Sequence, residues 1–156
     1  MGYRLEAVIG SAAVLSAAIG GHEAMALVPL RQGLGLVPMT DEAFDAVNDG
    51  TAGGLPGFWK LPGGFGGLLS SWSARGPVAY LEADYFGGVG TQAAAVWDGG
   101  SLAFGPEFIG EAGPVPVSGT PISRALARLG VTRGNHYDEF EAAGLGRERD
   151  TEDWLS

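Results

Sequence analysis

The chain contains no cysteine. Disulfides, thiolate zinc sites, iron–sulfur clusters and cysteine nucleophiles are therefore excluded. Histidine occurs twice, at His22 and His136. Two imidazoles without a thiolate are too few for an ordinary zinc centre, so neither a metal nor another cofactor is expected. Lysine occurs once, as Lys60, and the other basic residues are arginines. Charged residues make up 17% of the chain, below the ~25% of a typical domain. Long apolar runs are also missing. The longest candidate, "AVIGSAAVLSAAI" at 7–19, falls short of the roughly 20 residues that cross a bilayer. Its flank carries Arg4 followed by Glu6, and it is rich in Ala and Gly rather than Leu. That argues against a secretory leader, and a cytoplasmic protein without a membrane partner is the expectation.

What the chain does have is acid. The 18 Asp and Glu outnumber nine Lys and Arg, for a net charge of −9. Nucleic acid is a poor partner for such a surface, because its binding rests on neutralising phosphates with Lys and Arg. A basic protein would be drawn in. Glycine (28) and proline (9) are abundant, but they are interleaved with Trp, Phe, Leu and Val. This pattern reads as many turns between short elements, and the length of 156 residues suits one domain with its own core.

"YRLEAVIG" (3–10) reads as a first strand, and "SAAVLSAAIGG" as a short helix capped by Ser11. Two apolar runs, 24–30 and 34–40, flank Arg31-Gln32-Gly33 as a hairpin, with Pro29 and Pro38 at an edge or strand end. Thr40 caps a helix over "DEAFDAVNDG". Residues 51–67 read as a loop anchored by Leu55, Phe58, Trp59 and Phe65, followed by one or two helical turns at 68–75. Segments 77–86, 91–97 and 101–105 form a meander, with Asp98-Gly99-Gly100 as a hairpin signal. The clearest helix is 120–130, with Thr120 as N-cap, Pro121 at N1 and Gly130 at C′. Its apolar stripe is Ile122, Ala125, Leu126 and Leu129, and it is expected to pack on the sheet carrying Leu81 and Ala83. A second helix is expected at 136–144. The class predicted is α+β: a mostly antiparallel sheet with hairpins, covered by short helices.

The glycine-rich "GGVG" at 87–90 invites a phosphate-binding reading. A dinucleotide fingerprint needs a helix after its glycines, and a P-loop needs Lys-Ser or Lys-Thr. Here "TQAAAVWDGG" follows, so a strand connection is the simpler reading. Glu82 and Asp84 lie two apart on a strand and share a face. They suit cation holding or acid–base work, but a solvated acidic face opposite Leu81, Ala83 and Tyr85 explains them more simply. His22 beside Glu23, and His136 beside Asp138 and Glu139, are candidate bases, although each reads more simply as a loop or cap histidine. The C-terminal acids Asp138, Glu139, Glu141, Glu148, Asp150, Glu152 and Asp153 form a solvated end or a docking surface. Trp154 and Leu155 are expected to anchor the tail.

The blocks "EADYFGGVGTQAAAVW", "ALARLGV" and "GLGRERDTEDW" resemble a family of small uncharacterised bacterial proteins, chiefly actinobacterial. That resemblance brings no reaction and no site residues. In size and acidity the chain is also similar to immunity proteins of toxin systems. The expected function is a non-enzymatic acidic protein-binding module, with no catalytic residues, that binds a basic partner such as a toxin. Its expected binding surface is Glu82, Asp84, Tyr85, Trp59, Glu152 and Asp153, with Tyr85 or Trp59 as anchor. The alternative is a small hydrolase or ligand-binding enzyme using the Glu82–Asp84 pair and one histidine. Contact between an imidazole and that pair would distinguish the two.

Overall fold

The structure is a computed structural model that describes residues 2–51, 55–86, 89–111 and 119–155. It is α+β, as expected. Six strands form one antiparallel sheet in the order β2-β3-β1-β4-β5-β6. They are β1 (Gly2–Ser11), β2 (Val28–Pro29), β3 (Leu34–Pro38), β4 (Val78–Phe86), β5 (Val89–Asp98) and β6 (Ser101–Ile109). The helices are α1 (Ala12–Ala18), α2 (Asp41–Val47), α3 (Phe65–Trp72), α4 (Pro121–Arg128) and α5 (Glu139–Ala143). Short 3-10 turns follow at Ser73–Arg75 and Thr151–Leu155.

Strand alternation divides the core in two. Leu5, Ala7, Ile9, Leu81, Ala83, Ala94 and Val96 point to one face, where Ile122, Leu126, Ala142, Leu145 and Trp154 cover them. Val8, Val78, Tyr80, Ala95 and Trp97 point to the other face, under Leu15, Ala43, Phe65, Leu69 and Trp72. The central strands β1 and β4 are thus buried on both sides, which is why they read as nearly unbroken apolar runs. Partly buried Leu129 completes the α4 contact.

Local chemistry explains the boundaries. Ser11, Thr40, Thr120 and Asp138 each accept a hydrogen bond from the third residue onward and so cap α1, α2, α4 and α5. Gly130 closes α4 with φ +95°, while Val131 N–H donates to Leu126 C=O and Gly130 N–H to Ala127 C=O, the Schellman pattern. Pro29 and Pro106 lie in the outermost strands β2 and β6, where a missing N–H is tolerated.

Several boundaries differ from expectation, and the apolar run 24–30 supplies only a two-residue strand, Val28–Pro29. α3 begins at Phe65, not near residue 68. Gly66 and Gly67 lower its helix propensity, but Phe65, Leu69 and Trp72 form a buried stripe that overrides it. α5 begins only at Glu139, because the cap is Asp138. β6 runs past Gly105 to Ile109, with a register shift opposite Ala94–Trp97 that absorbs the irregularity.

Gly87 and Gly88 of GGVG lie outside the described residues, as do 52–54 of the aromatic loop. The flanking residues Phe86 and Val89 are paired directly, so the motif joins two antiparallel strands. A strand rather than a helix follows it. A Cβ on Gly90 would meet the Asp84 carbonyl oxygen, so this glycine serves a close backbone approach. Asp98 and Ser101 pair across Gly99 and Gly100, both at positive φ, the two-residue hairpin that Asp-Gly-Gly signals.

Leu126 is fully buried against the sheet. Replacing it with Ala should lower stability by ~2–5 kcal/mol. Thermal and urea unfolding would measure this, and a Tm change of about a degree would contradict the packing described.

Candidate functional site

The same tripeptide, Leu-Glu-Ala, occurs at 5–7 and at 81–83. The two copies lie on adjacent central strands and pair antiparallel: Leu5 with Ala83, Glu6 with Glu82, Ala7 with Leu81. Residues directly opposite one another project to the same face, so Glu6 and Glu82 stand side by side. Both are buried, at 1% and 0% exposure. This corrects the expectation that Glu82 belongs to a solvated acidic surface.

The aromatic loop is what covers them. The Trp59 backbone N–H donates to Glu82 Oε1 at 2.7 Å, and the Lys60 N–H donates to Oε2 at 2.7 Å. Tyr80 Oη lies 2.9 Å from Glu82 Oε2 and 2.7 Å from the Lys60 carbonyl oxygen. Glu6 is held differently. Its Oε2 accepts from Arg4 Nε at 2.8 Å and from the Trp59 indole at 3.2 Å. Its Oε1 faces Thr151 Oγ1 at 3.3 Å and Lys60 Nζ at 3.6 Å. Lys60 Nζ also reaches Asp41 at 2.7 Å, which holds that carboxyl below its usual range.

The two carboxyls therefore differ in one respect. Glu6 has Arg4 and Lys60 as counterions, while among the described residues no cation stands within 4.0 Å of the Glu82 carboxyl. Burial pushes the Glu82 carboxyl up to about 7, helped by Glu6 and opposed by the donors Trp59, Tyr80 and Lys60. Burial and the neighbouring carboxyl likewise raise the Tyr80 phenol well above its ordinary range.

The C-terminal segment completes the site. β3 pairs β1 only from Ala7 onward. Beyond that point Arg4 N–H donates to the Arg149 carbonyl, and Glu6 N–H donates to Thr151 Oγ1, so the strand edge stays satisfied. Glu152 accepts from the Asp41 backbone N–H at the start of α2. Trp154 is buried in the core with Arg147 over its ring, the anchoring role expected, whereas Leu155 is 48% exposed.

The remaining candidate residues separate. Asp84 shares the Glu82 face but lies past the loop and is exposed, opposite Arg4. Tyr85 points to the other face and is partly buried. There it lines a cleft of about 460 Å³ with Tyr3, Gln92, Phe140 and Arg149. Trp59 is 40% exposed, and Glu152 and Asp153 are exposed on the terminal turn. Phe65 is core and Phe58 packs against it. His22 packs edge-on against Trp72, and His136 Nδ1 sits 3.7 Å from Glu141. Neither imidazole is among the hydrogen-bond partners found for Glu82.

Sequence reasoning missed Glu6, Tyr80 and Lys60. The signal was the Leu-Glu-Ala repeat within two apolar runs, since a carboxylate flanked on both sides by core residues in a central strand has nowhere exposed to go.

Beyond Glu82 the same face of the sheet is uncovered by helices. Cross-strand pairing puts Phe86 beside Val89, and Glu82, Ala93 and Phe108 in one row. Phe86, Val89 and Phe108 are 74%, 56% and 55% exposed. The loop lies against this row, for a Cβ on Gly57 would be 3.2 Å from that of Phe108. Phe86 and Val89 thus form one exposed pair, and Phe108 stands two rows away on the same face, with the Asp84–Thr91 row, paired to Arg4, between them.

No protein-family model matches the chain, and no similar curated protein or solved structure is found.

The Glu82 shift gives a pH dependence of known sign. Folded Glu82 keeps its proton up to about pH 7, while the unfolded carboxyl releases it near 4.5. Its stabilising contribution is complete below the lower value and is lost as pH rises through the upper one. The loss should be on the order of 2–4 kcal/mol, at about 1.4 kcal/mol per unit. Urea unfolding at about pH 5 and about pH 8 should show a smaller decline for Glu82→Gln than for the wild type. Equal declines would remove Glu82 as the source.

Proposed function

We propose that the chain is a non-enzymatic, acidic protein-binding module that engages a basic protein, in the manner of an immunity protein occluding a toxin. The observation that carries this reading is a set of exposed apolar side chains, Phe86, Val89 and Phe108 on the sheet face that Glu82 shares and Trp59 on the loop over it. Large aromatic side chains left in water favour a partner that buries them. The net charge of −9 selects one of opposite sign and speeds its arrival. The covered position of Glu6 and Glu82 weighs against catalysis in the closed arrangement, because the Trp59–Lys60 segment lies over Glu82. The two histidines, packed elsewhere, supply no base to Glu82.

Among the surface residues inferred from sequence, Trp59, Asp84, Glu152 and Asp153 stay in this reading. Glu82 acts from below by holding Trp59, and Tyr85 faces the opposite side. The division of labour is that of ordinary interfaces: acids steer and aromatics hold.

Affinity capture from the native host, followed by association kinetics with the captured protein, tests the proposal. A basic partner is expected, with an association rate that falls as salt rises. Phe86→Ala and Phe108→Ala should weaken binding about tenfold or more, mainly through faster dissociation. Asp84→Lys should mainly slow association. An acidic partner, a salt-independent association rate, or full affinity in both Phe variants would overturn it.

A further inference from the structure

We propose that the Trp59–Lys60 segment is a proton-controlled latch: a proton on Glu82 holds the segment on the sheet, and its loss releases the segment. The case begins with counting protons. Tyr80 Oη is within hydrogen-bonding distance of both the Lys60 carbonyl oxygen and Glu82 Oε2. A phenol carries one proton, and a carbonyl only accepts. If Tyr80 donates to Lys60, its contact with Glu82 needs a proton from Glu82. The protonated state then forms an unbroken chain, from the Glu82 carboxyl O–H to Tyr80 and from the Tyr80 O–H to the Lys60 carbonyl. The Trp59 N–H donates to Oε1, the oxygen without the proton, while the Lys60 N–H shares Oε2 with the Tyr80 hydroxyl.

Charge balance points the same way. The groups facing Glu82 are Glu6 on β1, Tyr80 on its own strand, and Lys60 on the segment itself. The β5 neighbour opposite it, Ala93, is uncharged. Arg4 is committed to Glu6, and Lys60 is shared between Glu6 and Asp41 of α2. Two cations already match Glu6 and Asp41. An ionised Glu82 adds a buried charge with no counterion among the described residues, beside a second carboxylate, and this is expensive in a buried site. It also forces Tyr80 to choose between two acceptors, leaving one without its hydroxyl donor. Lifting the segment lets water solvate the charge and relieves both penalties. The upward shift of the Glu82 carboxyl agrees with this geometry.

The latch has a direct output. Trp59 is tied to Glu82 by its backbone and to Glu6 by its indole, and it is 40% exposed. Proton loss therefore changes how that aromatic is presented. Only this last link rests on reading the row as a docking surface; the latch itself is tested without any partner.

The test is NMR of the full chain between about pH 5 and about pH 9, following the Glu82 side-chain carboxyl and the hydrogen exchange of the Trp59 and Lys60 amides. Protection, corrected for intrinsic exchange, should fall about tenfold at these two amides through the carboxyl's own midpoint. Amides in the middle of β5, such as Ala94, should keep theirs. Glu82→Gln, which cannot ionise, should make protection at the two amides independent of pH. Glu6→Gln removes the neighbouring negative charge and should move the midpoint lower. The wild-type titration and Glu6→Gln decide the matter even if Glu82→Gln fails to fold. A Glu82 carboxyl that titrates in the ordinary acidic range overturns the latch. So does protection of Trp59 and Lys60 that ignores the titration, or a midpoint unmoved by Glu6→Gln.

Discussion

Burying a carboxyl in the middle of a sheet is possible only if polar groups are delivered to it, and in this protein that requirement shapes everything around β1 and β4. Glu82 is fully enclosed and receives two backbone N–H groups and faces a phenol. The donors come from a loop that has no regular structure of its own at Trp59 and Lys60. Without the carboxyl, those N–H groups would be buried with nothing to bond. Without the loop, the carboxyl would face water. Each makes the other's position tolerable, so the irregular heart of the chain is a cover held by specific polar contacts.

The neighbouring Glu6 draws in the remaining pieces. Arg4 and Lys60 neutralise it, and Thr151 ties the C-terminal turn to it. Lys60 passes the connection on to Asp41 at the start of α2, and Glu152 closes it from the tail. Elements distant in sequence (strand, loop, helix and terminal turn) thus meet over one pair of acids. The helices stop short of the far end of this face, which leaves Phe86, Val89 and Phe108 exposed. The loop touches both the polar cluster and Phe108, through Trp59 and Lys60 on one side and Gly57 on the other.

Much of the fold was readable from local chemistry. Caps at Ser11, Thr40 and Thr120, the Schellman glycine Gly130, and the Asp98-Gly99-Gly100 turn each act within a few residues, so a linear reading finds them. The α4 stripe and its contact with Leu81 and Ala83 followed from periodicity. The site was much less readable. Alternation correctly put Glu82 and Asp84 on one face, yet their environments are opposite. Where cover stops along a strand depends on a loop contributed from about 20 residues upstream (Trp59 to Glu82), and no spacing rule encodes that.

The sequence by itself determined the class of fold, the helix caps and hairpin turns, and the absence of thiol chemistry, because composition and short-range periodicity act through neighbours along the chain. It also determined the acidic charge that any partner must meet. Only the tertiary structure decided that Glu6 faces Glu82, that Thr151 and Glu152 tie the tail to β1 and α2, and that His22 and His136 stay apart from Glu82. Those outcomes depend on strand register and on which loop packs where. A one-residue slip of β1 against β4 would carry Glu6 to the opposite face, and nothing local to either strand forbids it. What selects the observed register is the simultaneous burial of both faces and the hydrogen bonds that wait for two carboxyls at one spot.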